Sequence, residues 1–346
     1  ATPTDSSSFI GWSGSVTGTT NPITVNTDSN MTVVANFGPP LVASWAMNEG
    51  NGTTLFDSST YGNNGTFTSA PTWTTGIHGQ AIVFNGSYGS VPNSMSLNPS
   101  IAITLAAWVR PTSTGTQNVI KKAVTTTGSA VSGYELSLAS AGSVADQRPF
   151  VRFNQATAGD GFRLNGTTKY PANGSSWTHI AATYDGATIK IYVNGILENS
   201  AAAVFTIASN NLIVGVGAQS DGANNYWGAM DDARIYNRAL SLSEIQALAS
   251  HTITATAGAG GTISPAGSVS VLHHADQTFT MIPDQGNSVS LVTVDGVSQG
   301  AITSYTFTRD STDHTINVTF AATPSHTITS TAGANGSISP LGAVSV

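Results

Sequence analysis

Cysteine is absent from the 346-residue sequence. The chain therefore has no disulfide, no thiolate metal site and no cysteine nucleophile. Charged residues are also scarce, at 8% of the chain, and the formal net charge is −7. Because nucleic-acid binding needs a basic surface, we expect no nucleic-acid partner. The longest apolar stretch, IAITLAAWV, has about half of the ~20 residues that span a bilayer, so we expect no membrane insertion.

Alternating apolar and polar residues, bounded by Gly, Asn or Pro, dominate the rest of the chain. Stretches such as ATIKIYVNG, HTITATAG and HTINVTF have the period of two that is typical of β-strands. One helix is predicted in SLSEIQALAS, where Ser241 and Glu244 form a capping box before an apolar stripe. These patterns predict an all-β protein.

Two stretches of 21 residues repeat each other. HTITATAGAGGTISPAGSVSV begins at His251, and HTITSTAGANGSISPLGAVSV begins at His326. Such similarity indicates duplication of a structural unit. Near the start of the chain, NTDSNMTVVANF has a polar turn followed by a strand that ends at Phe37. Residues 251–322 close in the same way, with STDHTINVTF ending at Phe320. We therefore divide the chain into residues 1–40, the back half of a module; 41–250, a large central body; 251–322, a complete module; and 323–346, the front half of a further module.

Three stretches carry a resemblance outside the central body: FIGWSG from Phe9, HTIT followed by GGTISPAG, and VTVDG at 292–296. They resemble the divergent InlB-type B repeats of bacterial surface proteins, which implies a spacer on a secreted, extracellular or cell-surface protein. A half-module has an apolar face and an open strand edge that need a partner. That partner is either an adjoining repeat of a longer chain or a neighbouring copy in a head-to-tail fibre. The expected assembly residues are Phe9, Trp12, Ile328, Ile338 and Val344.

The central body contains a second ordered set of stretches. They are ASWAMNEGNGTTLFDSSTYGNNGTF, GQAIVFNGSYGSVPNS, ITLAAWVRP, SWTHIAATYDGATIKIYVNGIL and WGAMDDARIYNRALSLSEIQAL. Together they resemble a LamG-like, concanavalin A-like jelly roll, which implies two antiparallel sheets packed face to face. Independently of that resemblance, Trp108 and Tyr184 are expected in the core, and Asp185-Gly186 and Asn194-Gly195 predict hairpin turns. We interpret His179 as a structural histidine.

The resemblance also implies a calcium ion where the DSSTYGNNG stretch meets the DD strand. A hard cation needs several oxygen ligands, and two such segments can supply them. In the alternative, Asp57 caps a turn and Asp232 pairs with Arg234, a lysine or another partner in a structural network. The predicted calcium ligands are Asp57, Asn63, Asn64, Asp231 and Asp232.

An enzymatic function is not expected. Retaining glycoside hydrolysis needs two carboxyl groups about 5–5.5 Å apart, whereas Asp231 and Asp232 are neighbours on a strand and should point to opposite faces. Tyr226 and Trp227 lie beside polar turn residues, and aromatic faces can stack on a glycan there. We therefore interpret the chain as a non-catalytic adhesion or structural protein. The alternative is a carbohydrate-binding module of a polysaccharide-degrading system.

Overall fold

A computed structural model describes residues 1–2, 8–16, 22–26, 28–38, 40–125, 130–139 and 148–345. The chain divides into two compact units, Ala1–Ala249 and Ser250–Val346. Within the described ranges, neither helix has the length and apolar character that crossing a membrane requires.

The first unit consists mainly of short strands, as the period-two pattern predicts. Its two helices are α1 (Gln155–Ala158) and α2 (Leu242–Leu248). Its strands are β1 (Ser8–Gly14), β2 (Val33–Gly38), β3 (Leu41–Trp45), β4 (Thr54–Leu55), β5 (Gly65–Phe67), β6 (Thr72–Thr75), β7 (Gln80–Asn85), β8 (Gly89–Val91), β9 (Ile103–Pro111), β10 (Gln117–Val124), β11 (Val131–Ala139), β12 (Arg148–Phe153), β13 (Arg163–Asn165), β14 (Thr178–Tyr184), β15 (Thr188–Val193), β16 (Ile196–Ala202), β17 (Val214–Val216) and β18 (Trp227–Tyr236).

Strands β3 to β18 form the two sheets of a jelly-roll sandwich. The first sheet has the order β16-β15-β14-β9-β18-β7-β6, and β3 also pairs with β18. The second sheet has the order β13-β12-β11-β10-β17-β8-β5-β4. Neighbouring strands run antiparallel in both, for example β14 with β9 and β11 with β12. The predicted all-β class with an antiparallel jelly roll is confirmed.

One hydrophobic core fills the space between the two sheets. Leu105 and Ile180 of the first sheet and Leu136 and Val151 of the second are fully buried in it. Burying each such side chain stabilises the fold by about 1.5–3 kcal/mol. Tyr184 also lies in this core, as predicted.

Trp108 is buried, but on the other face of its sheet. It belongs to a separate small cluster with Ala81, Trp177 and Ala229 on the outer face of the first sheet. The reason is the strand period, because its neighbour Val109 faces the main core and adjacent side chains point to opposite faces.

The local turn and cap predictions are confirmed. Asp185 and Asn194 lie in the two hairpin connections between β14, β15 and β16. At the start of α2, the Ser241 hydroxyl accepts from the backbone N–H of Glu244, and the Glu244 carboxylate accepts from the backbone N–H of Ser241. The helix then packs Ile245 against Tyr236 on the outer face of the first sheet.

Strands β1 and β2 form a separate two-stranded sheet, which we call the β1–β2 ribbon. Phe9 pairs with Phe37, and a β-bulge follows between Phe9 and Gly11 before Trp12 pairs with Ala35. The Phe9 ring centroid lies 5.0 Å from that of Trp12 and 5.9 Å from that of Phe37. These three aromatic side chains form one apolar cluster.

The second unit contains three sheets. Their orders are β21-β19-β26-β23-β24, β20-β22-β25 and β27-β28, and the last pair is called the β27–β28 hairpin below. The strands are β19 (Ser250–Ala257), β20 (Gly261–Ser264), β21 (Gly267–Leu272), β22 (Gln277–Pro283), β23 (Asn287–Val294), β24 (Val297–Gly300), β25 (Ser304–Phe307), β26 (His314–Ala322), β27 (Thr327–Ser330) and β28 (Gly342–Ser345).

The five-stranded and three-stranded sheets of the second unit share a small core. Ile253, Phe279, Val292 and Ile316 are fully buried in it. Strands β19 and β26 pair in parallel, whereas the other strand pairs of this unit are antiparallel.

Candidate functional site

The predicted ligands Asp57, Asn63 and Asn64 lie together in the turn between β4 and β5. Asp57 Oδ1 accepts from the backbone N–H groups of Ser44 (2.8 Å) and Ser59 (2.9 Å). Its Oδ2 accepts from the Ser59 hydroxyl and the Asn63 N–H, both at 2.7 Å. A carboxylate has about four acceptor sites, so those of Asp57 are already used to close the turn.

Asn63 and Asn64 also form hydrogen bonds that stabilise the turn between β4 and β5. Asn64 Oδ1 accepts from the backbone N–H of Asp57 at 2.8 Å. Asn63 is buried, donates to the Val42 carbonyl and accepts from the Ser94 hydroxyl. The structure therefore gives Asp57 the capping role that was the alternative to metal binding.

Asp231 lies in β18, fully buried on the outer face of the first sheet. Its Oδ2 accepts from the backbone N–H groups of Ile77 (2.8 Å) and His78 (3.1 Å). Its Oδ1 is buried and has no hydrogen-bond partner within the described part of the chain. Burial raises the pKa of Asp231 to about 7, and the nearby Asp232 carboxylate adds to this rise against the effect of the backbone amides of His78, Ile77 and Asp232.

Glycine at position 76 permits this close approach of the loop to Asp231. A Cβ at Gly76 would lie 2.4 Å from Asp231 Oδ2 and 2.5 Å from the Gln80 carbonyl oxygen. Both distances are shorter than any real Cβ contact, so a larger side chain would displace the loop from the carboxylate.

Asp231 and Asp232 do not point to opposite faces, so that sequence prediction is wrong. A β-bulge interrupts the pairing of β18 with β9 between Asp231 and Arg234, and Asp232 has a φ of 48°. The extra residue rotates the chain, because a bulge breaks the alternation of side chains. Both carboxylates consequently approach His78, and Asp232 Oδ2 lies 3.9 Å from His78 Nε2.

A small cavity opens beside these carboxylates. It is lined by Trp108, His179, Asp232 and Arg234, together with apolar side chains. Asp232 Oδ1 lies 3.1 Å from an Arg234 guanidinium nitrogen, which is the ion pair expected in the alternative to a metal site. The Trp108 ring lies 5.1 Å from that of His179, so His179 packs as a buried structural residue.

The predicted calcium ligands thus form two separate groups. The hydrogen bonds of Asp57 go to its own turn and to Ser44 of β3, and those of Asp231 go to the 77–78 loop. In the described ranges, no group of three or more His, Asp or Glu side chains could hold a metal ion. The saturated carboxylate of Asp57 does not fit a calcium ligand, whereas the unpaired Oδ1 of Asp231 is a free anionic acceptor. Calcium therefore stays a prediction, confined to Asp231 and Asp232.

Tyr226 and Trp227 have different environments. Tyr226 is fully buried, and its hydroxyl accepts from the Arg110 N–H and donates to the Ala229 carbonyl. It cannot stack on a glycan, so that prediction is wrong. Trp227 is 45% exposed, and its ring packs over Gly86.

The backbone of Trp227 is held firmly. Its N–H donates to the side-chain carbonyl of Gln117 at 2.7 Å, and its carbonyl accepts from the Thr112 N–H at 2.9 Å. Beside it, the Asn225 amide donates to the Gly86 carbonyl at 3.3 Å. The Asn225 Oδ1 is buried without a hydrogen-bond partner among the described residues. The exposed indole of Trp227 is thus fixed at its backbone and packs beside Gly86.

The predicted assembly residues lie on the two smallest sheets. Phe9 and Trp12 are half-buried in the aromatic cluster of the β1–β2 ribbon. Ile328 is 58% exposed and Ile338 is 45% exposed, and Val344 is half-buried opposite Ile328 in the β27–β28 hairpin.

Sequence reasoning did not identify a row of charges across the second sheet. Lys121 of β10, Glu135 of β11 and Arg152 of β12 are direct neighbours across the strands, and all three are buried. Lys121 Nζ lies 2.5 Å from a Glu135 carboxylate oxygen, and the Arg152 guanidinium bonds to the other oxygen. The available signal was the presence of charged residues, Lys121, Glu135 and Arg152 among them, within three strands that are largely buried.

A histidine–aspartate network in the second unit was also missed. Asp310 is buried and contacts His251 and His314, each at 3.0 Å. His314 also bonds to Asp295 at 2.6 Å. Burial lowers the pKa of His314, but the hydrogen bonds and charges of Asp295 and Asp310 outweigh it, so the pKa is raised overall. The network joins residues separated by up to 63 positions, and no local pattern marks it.

Comparison with known proteins supports the jelly roll. Residues 84–246 match the family model of the concanavalin A-like lectin/glucanases superfamily. The sandwich is a concanavalin A-like jelly roll. The resemblance predicted for the central body is confirmed over these residues, and that of the flanking segments to InlB-type repeats stays a prediction.

Several solved structures are similar. Domain 4 of AbnA, a GH43 extracellular arabinanase from Geobacillus stearothermophilus solved with arabinotriose, is 22% identical, with 60% of this chain and 96% of that chain covered and a TM-score of 0.47. The binding domain of Paraclostridial Mosquitocidal Protein 1 is 17% identical, with 73% and 60% covered and a TM-score of 0.47. The botulinum neurotoxin serotype G binding domain is 19% identical, with 60% and 50% covered and a TM-score of 0.44. No curated protein sequence matches the chain.

Proposed function

We propose that the jelly roll is a non-catalytic carbohydrate-binding domain. The observation that carries this proposal is the exposed side chain of Trp227, whose backbone is fixed by hydrogen bonds to Gln117 and Thr112. The superfamily matched by residues 84–246 is named for lectins and glucanases, which agrees with a glycan as the ligand.

The chemistry of a sugar matches this surface. The apolar face of a pyranose or furanose ring would stack on the exposed indole of Trp227. The buried Tyr226 contributes indirectly, because its two hydrogen bonds to Arg110 and Ala229 hold the start of β18 in place. A rigidly held aromatic side chain loses little entropy when a ligand binds.

A binding role is favoured over catalysis because the carboxylates of Glu135, Asp57 and Asp232 have structural partners. Glu135 is neutralised between Lys121 and Arg152. Asp57 closes its turn through four hydrogen bonds, and Asp232 pairs with Arg234. Glycoside hydrolysis requires one acid that can donate a proton and a second, free carboxylate opposite it.

The test is glycan binding by the whole chain on an array of plant and bacterial polysaccharides, followed by titration calorimetry. Trp227→Ala should weaken binding by about tenfold, because stacking on one indole face contributes about 1–2 kcal/mol. Phe56→Ala is the matched control, since Phe56 is also exposed, at 57%. Equal binding by the Trp227→Ala variant and the wild type would refute this site, and measurable cleavage of a bound glycan would refute the non-catalytic role.

A structural role for the outer segments is the second part of the proposal. We propose that residues 1–40 and 323–346 are halves of InlB-type modules, that residues 251–322 are a complete one, and that the protein acts in adhesion outside the cell or at its surface. The exposed apolar residues of the β1–β2 ribbon and the β27–β28 hairpin support this, since large exposed apolar surfaces mark interaction sites. The partner is a neighbouring copy or an adjoining repeat, and sedimentation of the intact chain detects self-association.

A further inference from the structure

The β1–β2 ribbon repeats part of the complete module in the same register. In the second unit, Val289 pairs with Phe320, a bulge follows, and Val292 pairs with Val318. In the ribbon, Phe9 pairs with Phe37, a bulge follows at the same place, and Trp12 pairs with Ala35. The ribbon is therefore the structural equivalent of β23 and β26.

The β27–β28 hairpin repeats the other part. In the complete module, Ile253 of β19 pairs with Val269 of β21. In the hairpin, Ile328 pairs with Val344, and each partner lies 75 positions further along the chain. The hairpin is therefore the equivalent of β19 and β21.

The complete module shows how the two parts join. Its five-stranded sheet has the order β21-β19-β26-β23-β24, so β19 lies directly beside β26. The pair is parallel, with Thr254 opposite Thr315. The ribbon and the hairpin are each two-stranded among the described residues, so β2 and β27 each have a free edge at the equivalent position.

Apolar side chains of the complete module, residues 251–322, are more deeply buried than the equivalent side chains 75 positions further along the chain. Ile253 is fully buried in the complete module, whereas the equivalent Ile328 is 58% exposed. Ile263 is 4% exposed, whereas the equivalent Ile338 is 45% exposed. An unpaired edge that also carries apolar side chains is a template for pairing with another strand.

The ribbon supplies an apolar face in the equivalent position. Its Phe9 and Trp12 stand where Val289 and Val292 contribute to the core of the complete module. None of the four strands β1, β2, β27 and β28 contains Asp, Glu, Lys or Arg. No like-charge repulsion therefore opposes their association.

We propose that the β27–β28 hairpin of one chain joins the β1–β2 ribbon of a second copy in a four-stranded sheet of the order β28-β27-β2-β1. This inference rests on the proposed structural role of the outer segments, and it adds the register in which β27 of one copy pairs with β2 of the next. Strands β27 and β2 run parallel, with Thr329 of one copy opposite Thr32 of the other, as Thr254 lies opposite Thr315. Repetition of this head-to-tail contact produces a filament.

Disulfide trapping tests the register, because the natural chain has no cysteine. Thr329→Cys in one preparation is mixed with Thr32→Cys in another under mild oxidation, and each variant alone is the control. Opposite residues fall within the Cα separation of about 4.4–6.8 Å that a disulfide needs. We expect a dimer on a non-reducing gel only in the mixture. Thr329→Cys mixed with Val34→Cys is the shifted control, since two residues along a strand add about 6.6 Å.

A second measurement separates the register from association itself. Ile328→Asp should weaken self-association, measured by analytical ultracentrifugation, by about tenfold or more, because a charge replaces an apolar side chain at the joint. Ile196→Asp is the matched control, since Ile196 is 62% exposed on the jelly roll. A strictly monomeric wild type would overturn this inference and leave an adjoining repeat as the partner in the structural role. Two other outcomes would overturn the inference alone. One is self-association in which Thr329→Cys forms a disulfide equally well with Thr32→Cys and with Val34→Cys. The other is an Ile328→Asp variant that associates as strongly as the wild type.

Discussion

Asp231→Asn is predicted to stabilise the jelly roll at alkaline pH. Asp231 is fully buried, one of its oxygens has no hydrogen-bond partner among the described residues, and burial raises its pKa to about 7. A carboxyl group with a raised folded-state pKa binds its proton more tightly in the folded chain than in the unfolded chain. Its ionisation therefore lowers stability as the pH rises from the unfolded value, about 3.9, through the folded value.

The magnitude follows from the two pKa values. The difference between about 3.9 and about 7 corresponds to about 4 kcal/mol of lost stability above pH 7. Between pH 5 and pH 8 the wild type should lose about 3 kcal/mol of this amount. Asparagine removes the titration and can still accept from Ile77 and His78, but its buried NH₂ group without a partner costs about 1–3 kcal/mol. The variant should therefore gain about 1–3 kcal/mol over the wild type at pH 8 and lose this advantage at pH 5.

The assay is urea unfolding at pH 5 and pH 8, followed by tryptophan fluorescence. The second unit contains no tryptophan, so this signal reports the first unit. Asp185→Asn is the matched control, because Asp185 caps an exposed hairpin turn. The reasoning is refuted if the stability difference between Asp231→Asn and the wild type is the same at both pH values.

The same urea unfolding, repeated with calcium and with chelator, tests the prediction that calcium binds at Asp231 and Asp232. A cation bound to Asp231 Oδ1 would stabilise the ionised carboxylate, so calcium should raise the unfolding free energy of the wild type at pH 8 and chelator should reverse this. The Asp231→Asn variant should not respond. An identical response of the two proteins would place any calcium effect elsewhere.

Two further predictions concern the networks that sequence reasoning missed. Glu135→Gln should destabilise the jelly roll by about 3–5 kcal/mol in urea unfolding, because it leaves Lys121 buried without its counter-charge and Arg152 with Asp160 alone; a loss below 1 kcal/mol would contradict this. In the second unit, the raised pKa of His314 gives stability that is complete below about pH 6.5 and is lost as the pH rises through the folded value. Hydrogen exchange in β26, corrected for intrinsic pH effects, should therefore become faster between pH 6 and pH 8 in the wild type and not in His314→Gln.

Features governed by neighbouring residues were predictable from the sequence. The capping box of Ser241 and Glu244 spans three positions, and the turn at Asn194-Gly195 needs only the two positive φ angles that this dipeptide adopts readily. The period of two along each strand likewise predicted the all-β class. The 75-residue repeat predicted a duplicated β unit, and β27 pairs with β28 in the register in which β19 pairs with β21.

Features that depend on distant chain segments were not predictable. Trp227 and Tyr226 are adjacent aromatics, and only the packing of β18 against its neighbours decides that one is exposed and the other buried. The bulge after Asp231 turns two carboxylates towards one histidine, a result of strand pairing across more than 100 positions.

The sequence by itself determined the strand pattern, the local caps and turns, and the duplication of a β unit, because each depends on side chains within a few positions or on direct repetition. Only the tertiary structure decided which face each strand buries, where a β-bulge shifts the strand pairing, and which charged groups are buried. Those outcomes depend on long-range pairing and burial, which set the pKa of Asp231 and the exposure of Trp227.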